Sequence, residues 1–187
     1  MKKYNRVLTI AGSDSGGGAG IQADIKAISA MGCYAASAIT AITVQNTLGV
    51  QAVHPVPLDI LRGQIDAVLS DIGADAIKIG MLHSAEVVIL VAEMIEKYQI
   101  RNVVLDPVMV SPSGHRLIEP DAVEVINDRL MPLARVITPN VPEAEILADN
   151  YRKFEQKATV SMTSEISKQT KEELKNISNS YRKAQMD

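Results

Sequence analysis

A cluster of glycines gives the chain its first candidate binding site. Residues 10–24 read IAGSDSGGGAGIQAD, where an apolar run stops at a glycine-rich turn and a helical pattern begins at once. Glycine adopts backbone angles that other residues resist, so N–H groups of such a turn can converge on one anion or polar group, and the following helix adds its positive end. A flexible strand-to-helix turn without a ligand explains the pattern equally well. The glycines concerned are Gly16, Gly17, Gly18 and Gly20.

The spacing of these glycines excludes two common nucleotide sites. No Gly-Lys-Ser/Thr follows them, as a phosphate-binding P-loop requires, and the G-x-G-x-x-G spacing of a dinucleotide site is absent. Any ligand of this turn is therefore bound in another way.

Polar side chains also collect directly after the predicted strands. The carboxyl ends of parallel strands meet at one edge of a sheet, and ligands bind in the crevice outside them. We expect several of these side chains to share one crevice. Because polar loops begin at strand ends in any protein, that simpler explanation stays open for each residue taken alone. The polar positions are Ser13, Asp14, Gln45, Asn46, Asp106, Thr138, Asn140 and Glu143, and the apolar Met81 follows a predicted strand in the same way.

A repeated alternation of strands and helices would position these side chains. Runs rich in β-branched residues predict strands, and apolar residues at helical spacing predict helices. The alternation indicates an α/β fold with a mostly parallel sheet and helices on both faces. Prolines near the end of residues 50–56 place that strand at an edge or in a flap. The predicted strands are residues 6–10, 38–44, 50–56, 76–79, 103–105 and 136–137, and the predicted helices are residues 21–31, 58–70, 87–98, 121–131 and one that begins near Pro142.

Composition argues against several classes of function. The 187 residues suffice for one domain with its own core, which must be aliphatic because only 3% of the residues are aromatic. A net charge of -3 argues against a nucleic-acid partner, and three dispersed histidines, His54, His83 and His115, predict no zinc site. The single Cys33 excludes an internal disulfide and fits a reducing compartment. With no apolar run of about 20 residues and no secretory pattern, we expect a cytoplasmic protein without a membrane partner.

Five motifs resemble those of a known family. In chain order they are AGSDSGGGAGIQAD, TVQNTLGV, SDIGADAIKIGML, VVLDPVMV and ITPNVPEAEIL, and the similarity runs over residues 6–149. They resemble the hydroxymethylpyrimidine/phosphomethylpyrimidine kinases of thiamine biosynthesis, which belong to the ribokinase-like superfamily. The resemblance implies a three-layer ribokinase-like fold. It also implies transfer of a phosphoryl group from ATP, with Mg²⁺, to the hydroxymethyl group of an aminopyrimidine and then to the resulting monophosphate.

The resemblance places five residues on the substrate side of the site. Asp24 resembles the family's contact to the substrate hydroxyl, and Gln45 resembles its contact to the pyrimidine ring nitrogen and amino group. A primary amide offers a donor and an acceptor, which match the paired groups along one edge of an aminopyrimidine. Gly12, Val44 and Met81 resemble the walls of the same pocket, where a thioether can lie on a flat ring. The alternatives are a solvated loop amide at Gln45 and plain core packing of the wall residues.

Three further residues match the family on the phosphate side. Asp106 falls where the family has an acidic residue near the metal and the phosphates. Asn140 and Glu143 match the N-x-x-E motif that organises Mg²⁺ through water, which is reasonable because Mg²⁺ usually keeps several of its waters. Alternatively, Glu143 in a first helical turn only complements the helix dipole. We assign no role to the charges of Lys78 and Arg116.

Residues 151–187 differ in composition from the rest of the chain. They contain no Gly or Pro, eight Ser or Thr, and eight Lys or Arg against five Asp or Glu, a net charge of +3. We predict a ribokinase-like kinase domain over residues 1–150 that is incomplete at its C-terminus. For residues 151–187 we predict a Lys/Ser-rich tail outside the family, with apolar residues near helical spacing.

One family segment has no counterpart in this sequence. Family members carry a Gly-Thr-Gly-Cys-like loop that supplies oxyanion-stabilising amides and the catalytic base, whereas the last glycine here is Gly114 and the sole cysteine is Cys33. Removing one such donor can cost about 10²–10³ in rate. We therefore identify no catalytic residue and expect a chain that keeps the pyrimidine site but has little or no kinase activity alone.

Two other functions stay open at this stage. A pyridoxal kinase-like enzyme is one, because relatives with the same glycine loop phosphorylate vitamin B6 alcohols. A non-catalytic pyrimidine-binding module is the other. The sequence leaves the oligomeric state open, with a homodimer as one option.

Overall fold

The computed structural model describes residues 4–109, residues 117–149 and residue 152. The chain divides into two compact units, residues 1–147 and residues 148–187. Apart from residue 152, the predicted tail helix lies outside the described residues and stays a prediction; Arg116, to which we assigned no role, lies outside them as well.

Strands and helices alternate along the described chain. The strands are β1 (Arg6–Asp14), β2 (Tyr34–Asn46), β3 (Gly49–Pro55), β4 (Ala76–Ile79), β5 (Val103–Leu105) and β6 (Val136–Ile137). The helices are α1 (Gly20–Ala30), α2 (Leu58–Ala67), α3 (Ala85–Lys97), α4 (Pro120–Val125) and α5, residues 141–149. π-helical turns at Val68–Ile72 and Ile126–Leu130 continue α2 and α4, and a 3₁₀ turn follows at Met131–Leu133.

The six strands form one sheet in the order β3-β2-β1-β4-β5-β6. Four of the pairings are parallel, and the hairpin of β2 with β3 is antiparallel. Strand β3 lies at one edge, where Pro55 costs no hydrogen bond to a further strand. The predicted mostly parallel α/β fold and the edge position of this strand are confirmed.

The two faces of the central strand β1 contact different parts of the molecule, the main core on one face and α1 on the other. Leu8 and Ile10 are fully buried in the main core, which also contains apolar side chains of α2 and α3. Thr9, between them in sequence, donates a hydrogen bond to Asp24 of α1. Because alternate side chains of a strand point to opposite faces, α1 covers the face opposite to α2 and α3.

The predicted bounds of two strands are wrong for an identifiable reason. Strands β1 and β2 extend beyond the predicted residues 6–10 and 38–44, because their parallel pairing continues from Arg6 opposite Tyr34 to Asp14 opposite Thr43. The predicted helix over residues 121–131 is helical throughout, as α4 and the π and 3₁₀ turns that continue it. These turns reach Pro132, which has no N–H group with which to continue a helix.

Two expectations about composition can be compared with the described residues. Cys33 is a free, half-buried thiol directly before β2. None of the helices in residues 4–109 and 117–149 combines the length and the apolar character that a membrane span requires.

Candidate functional site

A cavity of about 270 Å³ lies beyond the carboxyl ends of β1, β2, β4 and β5, next to the start of α1. Apolar and polar groups both line it, as is usual for sites that bind small molecules. Eight of the residues that we singled out from the sequence meet here. They are Gly12, Ser13, Asp14, Gly20, Asp24, Gln45, Met81 and Asp106, and they are joined by Ala11, Ala19, Ala23, Thr43, Val50, Lys78, Gly80, Val108 and Leu117.

The glycine loop between β1 and α1 is folded around the carboxylate of Asp14, one of its own residues. The Asp14 carboxylate, only 5% exposed, accepts hydrogen bonds from the backbone N–H groups of Gly16 at 2.7 Å, Gly18 at 2.9 Å and Ala19 at 2.8 Å. The Gly17 N–H donates to the Asp14 carbonyl oxygen at 3.0 Å. The loop amides converge as expected, but the group that accepts them is the Asp14 carboxylate of the loop itself.

Two glycines allow the loop and the strands to approach closely. Gly20 has φ +56, and a Cβ atom there would lie 2.2 Å from the carbonyl oxygen of Gly12. A Cβ atom at Gly12 would lie 2.6 Å from Cε of Met81, so the missing side chain makes room for the thioether. Larger residues at position 20 would force the loop away from β1.

Asp24 is the centre of a charged cluster in the cavity. Its Oδ2 accepts a hydrogen bond from the Thr9 hydroxyl at 2.6 Å, and its Oδ1 lies 3.1 Å from Nζ of Lys78. The same ammonium lies 3.3 Å from Oδ2 of Asp106. Lys78 therefore bridges the two acids that we placed on the substrate and phosphate sides.

From the sequence we assigned no role to Lys78 and did not consider Thr9. A lysine between the two buried residues Ile77 and Ile79 of a central strand is a signal that was available, because a charge in such a place requires partners.

Gln45 is held against the glycine loop by its backbone. Its N–H donates to Oγ of Ser15 at 2.9 Å, and the Ser15 hydroxyl donates to the Gln45 carbonyl oxygen at 2.7 Å. The Thr43 hydroxyl lies 2.8 Å from the Ser13 carbonyl oxygen and 3.2 Å from Oε1 of Gln45. The end of β2 thus presents the Gln45 side chain to the cavity from a fixed backbone.

Val44 is not brought into the cavity. It lies between Thr43 and Gln45 on a strand, so its side chain points to the other face and is 54% exposed. The neighbouring hairpin instead forms a second cavity of about 540 Å³, which shares Asp14, Ala19, Gln45 and Val50 with the first.

Asn140 and Glu143 form a reciprocal cap at the start of α5. The Glu143 N–H donates to Oδ1 of Asn140 at 2.9 Å, and the Asn140 N–H donates to Oε2 of Glu143 at 3.0 Å. The second carboxylate oxygen of Glu143 accepts the N–H of Met109 at 3.3 Å, and Glu143 is only 5% exposed. Neither residue lines the cavity, so in this structure the pair fixes α5 to the segment after β5.

His83, two residues after Met81, lies outside the lining of the cavity. Burial lowers the pKa of its imidazole, while the charges of Glu119 and Glu86 act in the opposite direction. Within the described residues, no group of three or more His, Cys, Asp or Glu side chains is placed to hold a metal ion.

This sheet, with a small-molecule cavity beyond the carboxyl ends of its strands and a glycine-rich first turn, places the chain in the class of proteins with the ribokinase-like α/β fold. A phosphomethylpyrimidine kinase from Clostridium difficile superposes with a TM-score of 0.72 and 49% identity, covering 80% of this chain and 68% of the other. A pyridoxal kinase from Staphylococcus aureus in complex with pyridoxal also gives a TM-score of 0.72, with 38% identity, over 80% of this chain and 54% of the other.

The family model described as phosphomethylpyrimidine kinase matches residues 14–177, and the chain belongs to this family. The hydroxymethylpyrimidine/phosphomethylpyrimidine kinase of Escherichia coli is 52% identical over 149 residues, which are 80% of this chain and 56% of that protein. A thiamine biosynthesis bifunctional protein from Geobacter sulfurreducens is 54% identical over 141 residues, 75% of this chain and 29% of that protein.

The chain thus spans about half the length of the single-function relative from Escherichia coli. The family match runs past residue 150, where we predict that the kinase domain ends, whereas these two pairwise alignments span 141 and 149 residues. The boundary at residue 150 stays a prediction.

Proposed function

We propose that this chain binds hydroxymethylpyrimidine in the cavity of about 270 Å³, as part of a kinase that transfers a phosphoryl group from ATP to this alcohol and to its monophosphate in thiamine biosynthesis. One observation carries the proposal. Asp24 of α1, Gln45 of β2 and Met81 after β4 come from three separate elements and line the same hollow. The relative from Escherichia coli, 52% identical, bears the name of this kinase.

Each of these side chains has a definite task in the proposed complex. The Asp24 carboxylate accepts a hydrogen bond from the substrate hydroxyl, and the Gln45 amide pairs with the ring nitrogen and amino group of the pyrimidine. Met81 lies against the ring face, with Gly12 leaving the space that its thioether occupies. Val44, whose side chain lies outside the cavity, has no part in this proposal.

We also propose ATP and Mg²⁺ as the phosphoryl donor and its metal. Mg²⁺ prefers one or two carboxylates together with phosphate oxygens and water, and the half-buried Asp106 at the cavity fits that requirement. Mg²⁺, when bound, neutralises charge on the transferred phosphoryl group. Glu143 fits the metal less well, because both of its oxygens already accept backbone N–H groups. In this proposal Asp106 would hold the metal, and Glu143 shapes the segment beside it.

Isothermal titration calorimetry with hydroxymethylpyrimidine and with pyridoxal tests the binding proposal. We expect tighter binding of the pyrimidine, and we expect Gln45→Leu to weaken it about 10- to 100-fold, because the amide edge of the ring loses its partner. Gln51→Leu is the matched control, since Gln51 is exposed on β3. Tighter binding of pyridoxal, or equal binding by wild type and Gln45→Leu, would contradict the proposal.

Activity is a separate question. Because the sequence contains no Gly-Thr-Gly-Cys-like segment, we expect little or no turnover in a coupled ATP-consumption assay with the purified chain. Turnover typical of kinases, about 1–100 per second, would refute that expectation. A homodimer and a cytoplasmic location stay predictions, and light scattering of the purified chain tests the first.

A further inference from the structure

We propose that Lys78 is a positioning residue for recognition of the substrate hydroxyl, because it holds the Asp24 carboxylate in place by bridging it to Asp106. The inference rests on the proposed function, because the substrate whose hydroxyl Asp24 binds is there a hydroxymethylpyrimidine. Its starting point is the pair of contacts from one ammonium, 3.1 Å to Asp24 and 3.3 Å to Asp106. Lys78 is 24% exposed and Asp24 only 15%, so water competes little for these contacts.

The sheet explains why Lys78 reaches Asp24. Lys78 of β4 lies directly beside Thr9 of β1 in the parallel register, so both side chains leave the same face of the sheet. Thr9 takes one oxygen of the Asp24 carboxylate and Lys78 takes the other. Side chains of two neighbouring strands thus contact both carboxylate oxygens of Asp24 on α1.

Gly80 provides the space for the ammonium. A Cβ atom at this position would lie 3.1 Å from Nζ of Lys78 and 2.9 Å from Cβ of Ala11. A side chain at position 80 would therefore press on the lysine.

The fixed carboxylate remains able to accept a further hydrogen bond. Each oxygen of an ionised carboxylate has two lone pairs, and each of the Asp24 oxygens has one protein partner here. A hydroxyl entering the cavity can bind without first ordering the acid, which lowers the entropic cost of binding. Without Lys78, two carboxylates would face one partly buried cavity with no cation between them, and Asp24 would turn away from Asp106.

The consequence is specific to the hydroxyl. Hydrogen bonds to charged groups contribute about 1.5–3 kcal/mol, so wild type is expected to bind hydroxymethylpyrimidine about 10- to 150-fold more tightly than the analogue in which a methyl group replaces the hydroxymethyl group. In Lys78→Met this ratio is expected to fall to about threefold or less. Binding of the methyl analogue is expected to change little.

Calorimetry with the two ligands on wild type, Lys78→Met, Lys78→Arg and Asp24→Asn tests the inference. We expect Lys78→Arg to retain part of the ratio and Asp24→Asn to lose it. In the double variant Lys78→Met with Asp24→Asn we expect no further loss, because both changes remove the same interaction. Lys97→Met is the matched control, since Lys97 pairs with Asp66 on an exposed surface outside the cavity.

The outcomes separate this inference from the proposed function. If Lys78→Met keeps the wild-type ratio, or weakens both ligands equally, Lys78 does not position Asp24 for the hydroxyl and the inference is wrong. If wild type binds neither pyrimidine, the proposed function fails and the inference falls with it. Should Lys78→Met alone fail to melt cooperatively, Lys78→Gln, which removes the charge and keeps a hydrogen-bond donor beside an intact Asp24, gives the comparison, and a ratio equal to that of wild type would again contradict the inference.

Discussion

Replacing Glu143 with alanine tests whether the pair Asn140 and Glu143 acts as a structural cap in the absence of any metal. The carboxylate accepts the N–H of Asn140 and the buried N–H of Met109. Leaving a buried donor without a partner costs about 1–3 kcal/mol, and losing half of a reciprocal cap costs about 0.5–2 kcal/mol. We therefore expect Glu143→Ala to reduce the free energy of unfolding by about 2–3 kcal/mol.

The assay is thermal unfolding followed by circular dichroism in a buffer with EDTA. For a chain of this length, 1 kcal/mol shifts the melting temperature by about 2–4 °C, so the expected decrease is about 4–12 °C. Glu143→Gln should lose about half as much, because one amide oxygen can still accept a backbone N–H. Glu145→Ala is the matched control, since Glu145 is exposed on the same helix.

A melting temperature for Glu143→Ala equal to that of Glu145→Ala would refute the capping argument. If Mg²⁺ then raised the melting temperature of wild type but not of Glu143→Ala, the metal role that the N-x-x-E motif implies would be the better explanation.

Three further predictions concern the loop and the pH dependence of stability. Gly20→Ala should lower the melting temperature and weaken pyrimidine binding, because its Cβ would lie 2.2 Å from the Gly12 carbonyl oxygen at φ +56; unchanged unfolding would contradict this. Asp14→Ala should release three loop N–H groups and increase their hydrogen exchange, which mass spectrometry measures, whereas exchange rates like those of wild type would show that the loop does not need the carboxylate. The pKa of His83 is lowered in the folded chain, so the unfolded chain takes up a proton first as the pH decreases. The free energy of unfolding, measured with urea, should therefore fall below about pH 6.5, and it should fall less in His83→Gln. An equal decrease in both proteins would contradict this assignment.

Much of the fold follows from local patterns in the sequence. Strand β4 was predicted over residues 76–79 and is observed as Ala76–Ile79, because its alternation of Ile77 and Ile79 with other residues is unambiguous. The full length of β2 could not be predicted in this way. Its first residues, from Tyr34, are strand because they pair with β1, and that pairing is a tertiary contact.

The candidate site, like the fold, was predicted in part from the sequence. Strand ends predicted that Gln45, Met81 and Asp106 would share a crevice, and the family resemblance added Asp24; all four line one cavity. Which partners each polar group takes depends on distances that a sequence does not contain. For that reason the lysine between Asp24 and Asp106, and the use of the loop amides by Asp14, became visible only in three dimensions.

The Asp14 carboxylate of the glycine loop has a thermodynamic consequence for ligand binding in the cavity of about 270 Å³. The Asp14 carboxylate already accepts the N–H groups of this turn, so the turn is ordered by the chain itself. A ligand that binds beside it does not have to order the turn. Association should then show a heat-capacity change that reflects only the apolar area covered by the ligand, without the larger change that accompanies coupled folding. The same internal negative charge repels a phosphate from this end of the cavity, so a phosphorylated ligand should enter with its uncharged ring toward the turn.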